Sequence, residues 1–198
     1  MKINKKHVFS AILLITFMFL AYSLFVRLSF VADSMISIGF FIVLYYYDRR
    51  KKFSVGAISL VALAIFLHLA GDVGLYSHFL IKDVIGYDKL VHFTGGFAVA
   101  YIISQMITEK QKFLHYSFAI LIVLGLGSLL EVNEFIGQTY FGVENGGIFD
   151  TGDGLPTFNS DLQRYDTYFD MMFNLAGALT SVIFMMLLIK IRAAKAVL

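Results

Sequence analysis

From Val8 to Val26 the chain runs without a single charged residue, and that run constrains the fold more than any other feature. A helix needs roughly 20 predominantly apolar residues to cross the hydrocarbon core of a bilayer. Several later stretches reach the same length, so the pattern is that of a polytopic membrane protein. Composition agrees. The 198 residues are 59% hydrophobic and only 15% charged, against about a quarter charged in an ordinary soluble domain. Little is left over for a soluble unit, and residues 1–198 read as one transmembrane domain. The first run is long for a secretory signal core and is followed by no small-x-small cleavage site, which makes it the first span. The absence of cysteine excludes disulfides, thiolate metal sites and a cysteine nucleophile.

The hydropathy pattern predicts an all-α, six-transmembrane-helix bundle, with spans at about 8–27, 29–47, 53–72, 88–108, 113–138 and 165–191 and an outer loop over 139–164. Six spans put both termini on one side. Twelve of the sixteen basic residues collect there: Lys2, Lys5, Lys6, Arg49, Arg50, Lys51, Lys52, Lys110, Lys112, Lys190, Arg192 and Lys195. The positive-inside rule therefore places both termini in the cytoplasm and the chain in the inner (plasma) membrane. The cluster from Arg49 to Lys52 fits topology and anionic-lipid contact, so nucleic acid is not expected as a partner. The acids show the complementary bias: apart from Asp48 and Glu109 they lie on the outer side or in the outer ends of the helices.

Helical spacing groups those outer acids. His68 and Asp72 are four apart at the end of the third span, and Asp88 and His92 are four apart at the start of the fourth. Glu131 and Glu134 are three apart near the end of the fifth. Asp166, Asp170 and Asn174 follow at intervals of four in the sixth. Residues three or four apart share a helix face, and the topology puts all four stripes in one outer layer. A charge near the bilayer centre costs on the order of 3 kcal/mol. Six carboxylates in a dry cleft, with Lys89 and Arg164 as the nearby fixed cations, therefore demand protons, a bound cation or water. Asp88, His92, Glu131 and Asp170 are the candidate catalytic residues. His68, Asp72, Glu134, Asp166 and Asn174 are the candidate orienting or substrate-binding ones.

Two histidines with several carboxylates on four helices also form the ligand inventory of a carboxylate-bridged metal bundle. A divalent metal such as Zn, Mn or Fe would draw on Asp88, His92, Glu131, Glu134, Asp166 and Asp170, although the Glu-x-x-His signature of such bundles is absent. The plainer alternative is an interhelical hydrogen-bond network that fixes helix register.

The stretches "YDKLVHFTGGFAVAY", "LLEVNEFIG" and "QRYDTYFDMMFNLAGALTS", with "HLAGDVGLY" before them, resemble the YjdF-type bacterial membrane proteins. They are more distantly similar to the VanZ-like family, whose members share an Asp-Lys…His, a Glu-bearing helix and an Asp…Asn…Gly helix. The resemblance covers roughly residues 65–185 and points to Asp88, His92, Glu131, Asp166, Asp170 and Asn174, with His68 and Glu134 beside them. It implies a cell-envelope setting, since VanZ-like members are associated with glycopeptide resistance, and it implies no particular reaction. The "EVNEF" stretch and the Gly/Asp-rich outer loop depart from the family pattern, which leaves the substrate open.

Three functions remain. The first is an enzyme acting on a lipid or a lipid-linked envelope substrate, and the second an ion- or proton-coupled binding or transport protein. The third is a non-catalytic lipid-binding membrane module. The inner halves of the helices lack matching polar residues, which counts against a through-path. Asp150-Thr151-Gly152 matches the aspartic-protease triplet by coincidence, and the loop around it lacks the Asp-x-Asp-x-Asp-Gly spacing of a calcium site. That loop is expected to fold over the vestibule as a lid.

Overall fold

The computed structural model describes residues 5–26, 28–51, 53–81, 85–106, 112–141 and 160–195. Six long helices carry the architecture: α1 (Lys5–Val26), α2 (Val31–Lys51), α3 (Val55–Asp72), α4 (Tyr87–Met106), α5 (Lys112–Phe141) and α6 (Ser160–Lys195). Their bounds follow the hydropathy reading closely, except that α5 and α6 extend helically into both ends of the stretch expected as loop. Residues 142–159, with the protease-like triplet and the proposed lid, lie outside the described residues.

All but α4 are long and apolar enough to cross a membrane. The outer half of α4 holds Asp88, Lys89, His92, Thr94 and two glycines, which dilutes its hydropathy. A membrane protein of all-α type thus fits, while length and composition support five spans where six were expected. The helices leave large apolar side chains such as Phe17, Leu121 and Ile183 more than half exposed. Lipid would satisfy such a surface and water would not.

Polar contacts tie the helix ends in register. Lys5 Nζ reaches Asp48 Oδ1 at 2.9 Å, joining the start of α1 to the end of α2. Ser54 caps α3 by accepting from Ala57 N, and its own N–H donates to Gln105 Oε1 at the end of α4. These ends share one face of the bundle, the basic one. Deeper in, the hydroxyls of Ser23 and Ser34 meet at 3.1 Å between α1 and α2, a short polar link of the kind that joins helices in lipid. The apolar core between them is built from Phe9, Ile12, Phe41, Phe53, Ile58 and Ala98.

At the opposite end α3 stops at Asp72, and Gly74 takes φ +127°, a conformation that glycine alone adopts without strain. A 3-10 turn at Leu75–Ser77 then lays the Tyr76 ring over Gly71, where a Cβ would collide with it. The segment after it forms a small antiparallel ribbon. Strands β1 (Phe79–Ile81) and β2 (Ile85–Gly86) pair Phe79 with Gly86 and Ile81 with Ile85. Phe79, Ile81 and Ile85 are residues that strands favour, and Tyr87 N–H closes the ribbon by donating to His78 O.

The most extensively packed pair is α4 with α6. Two glycines permit the approach: a Cβ on Gly177 would run into the Phe93 carbonyl oxygen, and one on Gly96 into the backbone of Asn174. Small residues at such crossings let backbones close on each other. Gly125, by contrast, faces open space. Gly177→Leu is therefore expected to destabilise the bundle by about 1–3 kcal/mol through overpacking, while Gly125→Leu stays near neutral. Unfolding in mixed micelles measures both.

Candidate functional site

The close crossing of α4 and α6 brings Lys89 into the centre of three carboxylates. Its ammonium makes ion pairs with Asp88 and Asp166 and lies 3.0 Å from Asp170 Oδ1. All four side chains are buried, the lysine 10% exposed and the aspartates 7% or less. The sequence shows Lys89 merely as one cation near six acids. The fold makes it the built-in counter-charge of half of them, answering part of the demand for compensation. The signal available beforehand was its position: at i, i+3 with His92 it shares that residue's helix face.

His92 sits one turn deeper. Asn174 Nδ2 donates to its Nδ1 at 3.1 Å, and its Nε2 faces Asp170 Oδ1 at 3.4 Å. With Nδ1 accepting, the ring proton resides on Nε2, which lies near the carboxylate without a hydrogen bond to its Oδ1. Asn174 thus fixes the tautomer and Asp170 provides the place where charge on the ring is stabilised. On the third side of His92 lie Glu131, which is buried, and Glu134, half-buried. One ligand atom from each of the three falls within 4.8 Å of the others. Glu131 takes a hydrogen bond from Thr167. Its Oε1 and the Oδ1 of Asp88 are buried without a hydrogen-bond partner among the described residues.

A second polar group forms around His68. Its Nε2 lies 3.2 Å from Asp33 Oδ1 and 3.9 Å from Asp72 Oδ2, both fully buried carboxylates. Its Nδ1 lies 2.7 Å from the Tyr76 hydroxyl. Burial foremost, then the carboxylates of Asp72, Glu134, Asp33 and Asp88, push the Tyr76 phenol well above its usual range. The phenol keeps its proton and shares one hydrogen bond with His68 Nδ1, while Nε2 faces Asp33. A contiguous polar chain runs from tyrosine through histidine to aspartate.

The four expected stripes therefore meet, but as two linked groups. Asp88, His92, Glu131, Glu134, Asp166, Asp170 and Asn174 form the larger, around Lys89. His68 and Asp72 belong to the smaller, with Asp33 and Tyr76. A cavity of about 280 Å³ joins the two, its polar wall including Asp33, His68, Tyr76, Asp88, His92, Glu134 and Asn174. Sequence reasoning left out Asp33, although a lone acid in an apolar helix is itself a functional signal. Tyr87 is buried, its hydroxyl donating to the Leu67 carbonyl. His78 is exposed, and its ring lies 3.2 Å from Gly74 O.

Comparison with known proteins gives a coarse picture. A family model described as "Predicted membrane protein (DUF2238)" matches residues 5–190. A protein of Thermotoga maritima, itself described as uncharacterized, is 28% identical over 126 residues. That match covers 61% of this chain and 57% of the relative, so this chain spans a little over half of the relative's length. No solved structure matches.

Removing the lysine leaves three buried carboxylates facing one another. Lys89→Met is expected to cost about 3–5 kcal/mol of stability, the usual consequence of deleting one partner of a buried charge cluster. Reversible unfolding in mixed micelles checks this. A loss below about 1 kcal/mol would mean that the cluster is solvated.

Proposed function

This chain belongs to that family of predicted membrane proteins, and from this premise we propose that it is a cell-envelope acid–base catalyst acting on a lipid or lipid-linked substrate. In this reading residues 1–198 form one unit of the inner membrane with six spans, α4 included, and both termini cytoplasmic. The site then opens outward. The resemblance of the "YDKLVHF" and "QRYDTYFDMMFN" stretches to YjdF-type and, more distantly, VanZ-like proteins is part of the same proposal.

The observation that carries the reading is the setting of His92. Asn174 occupies Nδ1, which leaves Nε2, the nitrogen that faces Asp170, as the one that exchanges a proton. Asp170 stands behind Nε2 to stabilise the imidazolium that exchange would create. Lys89 holds Asp170, Asp88 and Asp166 in place, so that Asp170 is oriented before any substrate arrives. Glu131, buried with one oxygen unpaired and within 4.8 Å of a ring nitrogen, is a further proton acceptor beside His92. Asp166 and Asn174 act as positioning residues; His68, Asp72 and Glu134 shape the wall a substrate would touch.

A metal-dependent version has one observation in its favour, the convergence of His92, Glu131 and Glu134. An imidazole that ligates through Nε2 needs that nitrogen bare, with Nδ1–H donating to an acceptor. The amide nitrogen of Asn174 facing Nδ1 prepares the opposite tautomer, which favours the proton-transfer version. The trio Asp88, Asp166 and Asp170 already holds an ammonium and leaves no room for a second cation. Elemental analysis of purified protein, before and after chelator, separates the two: the proton-transfer version predicts no stoichiometric metal and no change in melting temperature.

The functional test compares envelope lipids, by mass spectrometry, from cells producing the wild type, His92→Ala or Asp170→Asn at equal protein level. A species that accumulates or vanishes with the wild type alone, and reverts in both variants, is the expected result. Identical profiles for all three would exclude lipid-directed catalysis.

A further inference from the structure

The cavity is amphipathic along the bundle axis. Its carboxylates and imidazoles gather toward one end, with Ser37 and Asn174 further in, and beyond them each helix turns apolar. On α2 the lining runs from Asp33 to Phe40, on α4 from Asp88 to Val99, and on α5 from Glu134 back to Val123. At 1.5 Å per residue these stretches descend about 10–16 Å, a third to a half of a hydrocarbon core about 30 Å thick. The volume of about 280 Å³ lies at the small end of ligand pockets, near 300 Å³, and admits one narrow chain rather than two.

Two features indicate that the space is kept for an occupant. Gly95 is a helix-interior glycine on the cavity wall, and a Cβ there would meet nothing within 4 Å. Such a glycine costs about 1 kcal/mol relative to alanine, with no close helix approach at this position to require it. Secondly, the rim is apolar and open: Ile36 and Phe40 on α2, and Leu126 and Leu130 on α5, line the cavity yet stay 40–52% exposed. Among the described residues α2 and α5 do not pack closely on each other. The gap between them faces the lipid phase.

Charge narrows the head group. Asp33, Asp88 and Glu134 line the cavity, while Lys89 does not and is engaged by its aspartates. An anionic head would face carboxylates on three helices, and a cationic one would meet complementary potential. His68 and the Tyr76 hydroxyl add hydrogen-bonding partners at the same level.

We propose that this cavity binds a single-chain amphiphile whose head group is a protonated amine without phosphate, admitted sideways between α2 and α5. The inference deepens the lipid-directed reading above and rests on it for the site, but it requires no turnover. The test uses full-length protein in nanodiscs of neutral lipid, with radiolabelled dodecylamine as probe and empty nanodiscs as blank. Saturable one-to-one binding is expected, with dodecyl phosphate and dodecanoate competing at least about tenfold more weakly than unlabelled dodecylamine, a difference of ~1.4 kcal/mol. Gly95→Leu, whose side chain enters open space, is expected to abolish binding while keeping the melting temperature. Leu126→Trp at the rim should weaken binding independently. Equal competition by dodecyl phosphate, or wild-type binding by a folded Gly95→Leu protein, overturns the inference. A wild-type-dependent lipid species found alongside that result would leave the catalytic reading standing. Binding as expected with unchanged envelope lipids would sink catalysis and leave the amine site.

Discussion

Everything at the acidic end of this bundle depends on one buried ammonium. Lys89 stands between Asp88 on its own helix and Asp166 and Asp170 on α6. A buried charge cluster is rarely a bargain in stability, because desolvation offsets much of the Coulombic gain. Its strength lies in specificity: three carboxylates from two helices satisfy one ammonium only at a single register of α4 on α6. Gly96 and Gly177 bring the backbones close enough for that register to form. The lysine also changes what the remaining groups can do. With three acids held by it, Asp170 faces His92 in a fixed position, and Glu131 keeps one oxygen without a hydrogen-bond partner among the described residues.

The second polar group repeats the logic without a lysine. Asp33 and Asp72 sit beside one imidazole, and the Tyr76 phenol completes its hydrogen bonding from outside the helices. The turn that delivers Tyr76 depends on Gly74 at positive φ and on the flat space over Gly71. Local backbone chemistry in a short connection thus reaches the electrostatics of the cavity.

Much of this was legible in the sequence, and the failures have physical causes. Helix bounds followed from uncharged runs, because insertion in lipid permits few alternatives. The stripes at 88/92, 131/134 and 166/170/174 were legible because helical period and antiparallel order together require them to share a layer. Asp33 was seen but not placed, since nothing in α2 alone says which neighbour its outer end meets. Lys89 was read as a nearby cation because a lysine beside a helix start looks the same whether it snorkels to the interface or turns inward. Its role emerges only from the α4–α6 contact, a matter of tertiary packing. The ribbon at Phe79–Gly86 was missed because so short an apolar alternation carries little periodic signal.

The central claim is that Lys89 and its aspartates form a coupled, desolvated unit rather than four separately hydrated charges. A double-mutant cycle on Lys89→Met and Asp166→Asn, read by reversible unfolding in mixed micelles, addresses it directly. The account predicts a coupling energy of about 2–3 kcal/mol, at the upper end for directly contacting residues. Additive effects within about 0.5 kcal/mol would contradict it and dissolve the unit on which the proposed site is built.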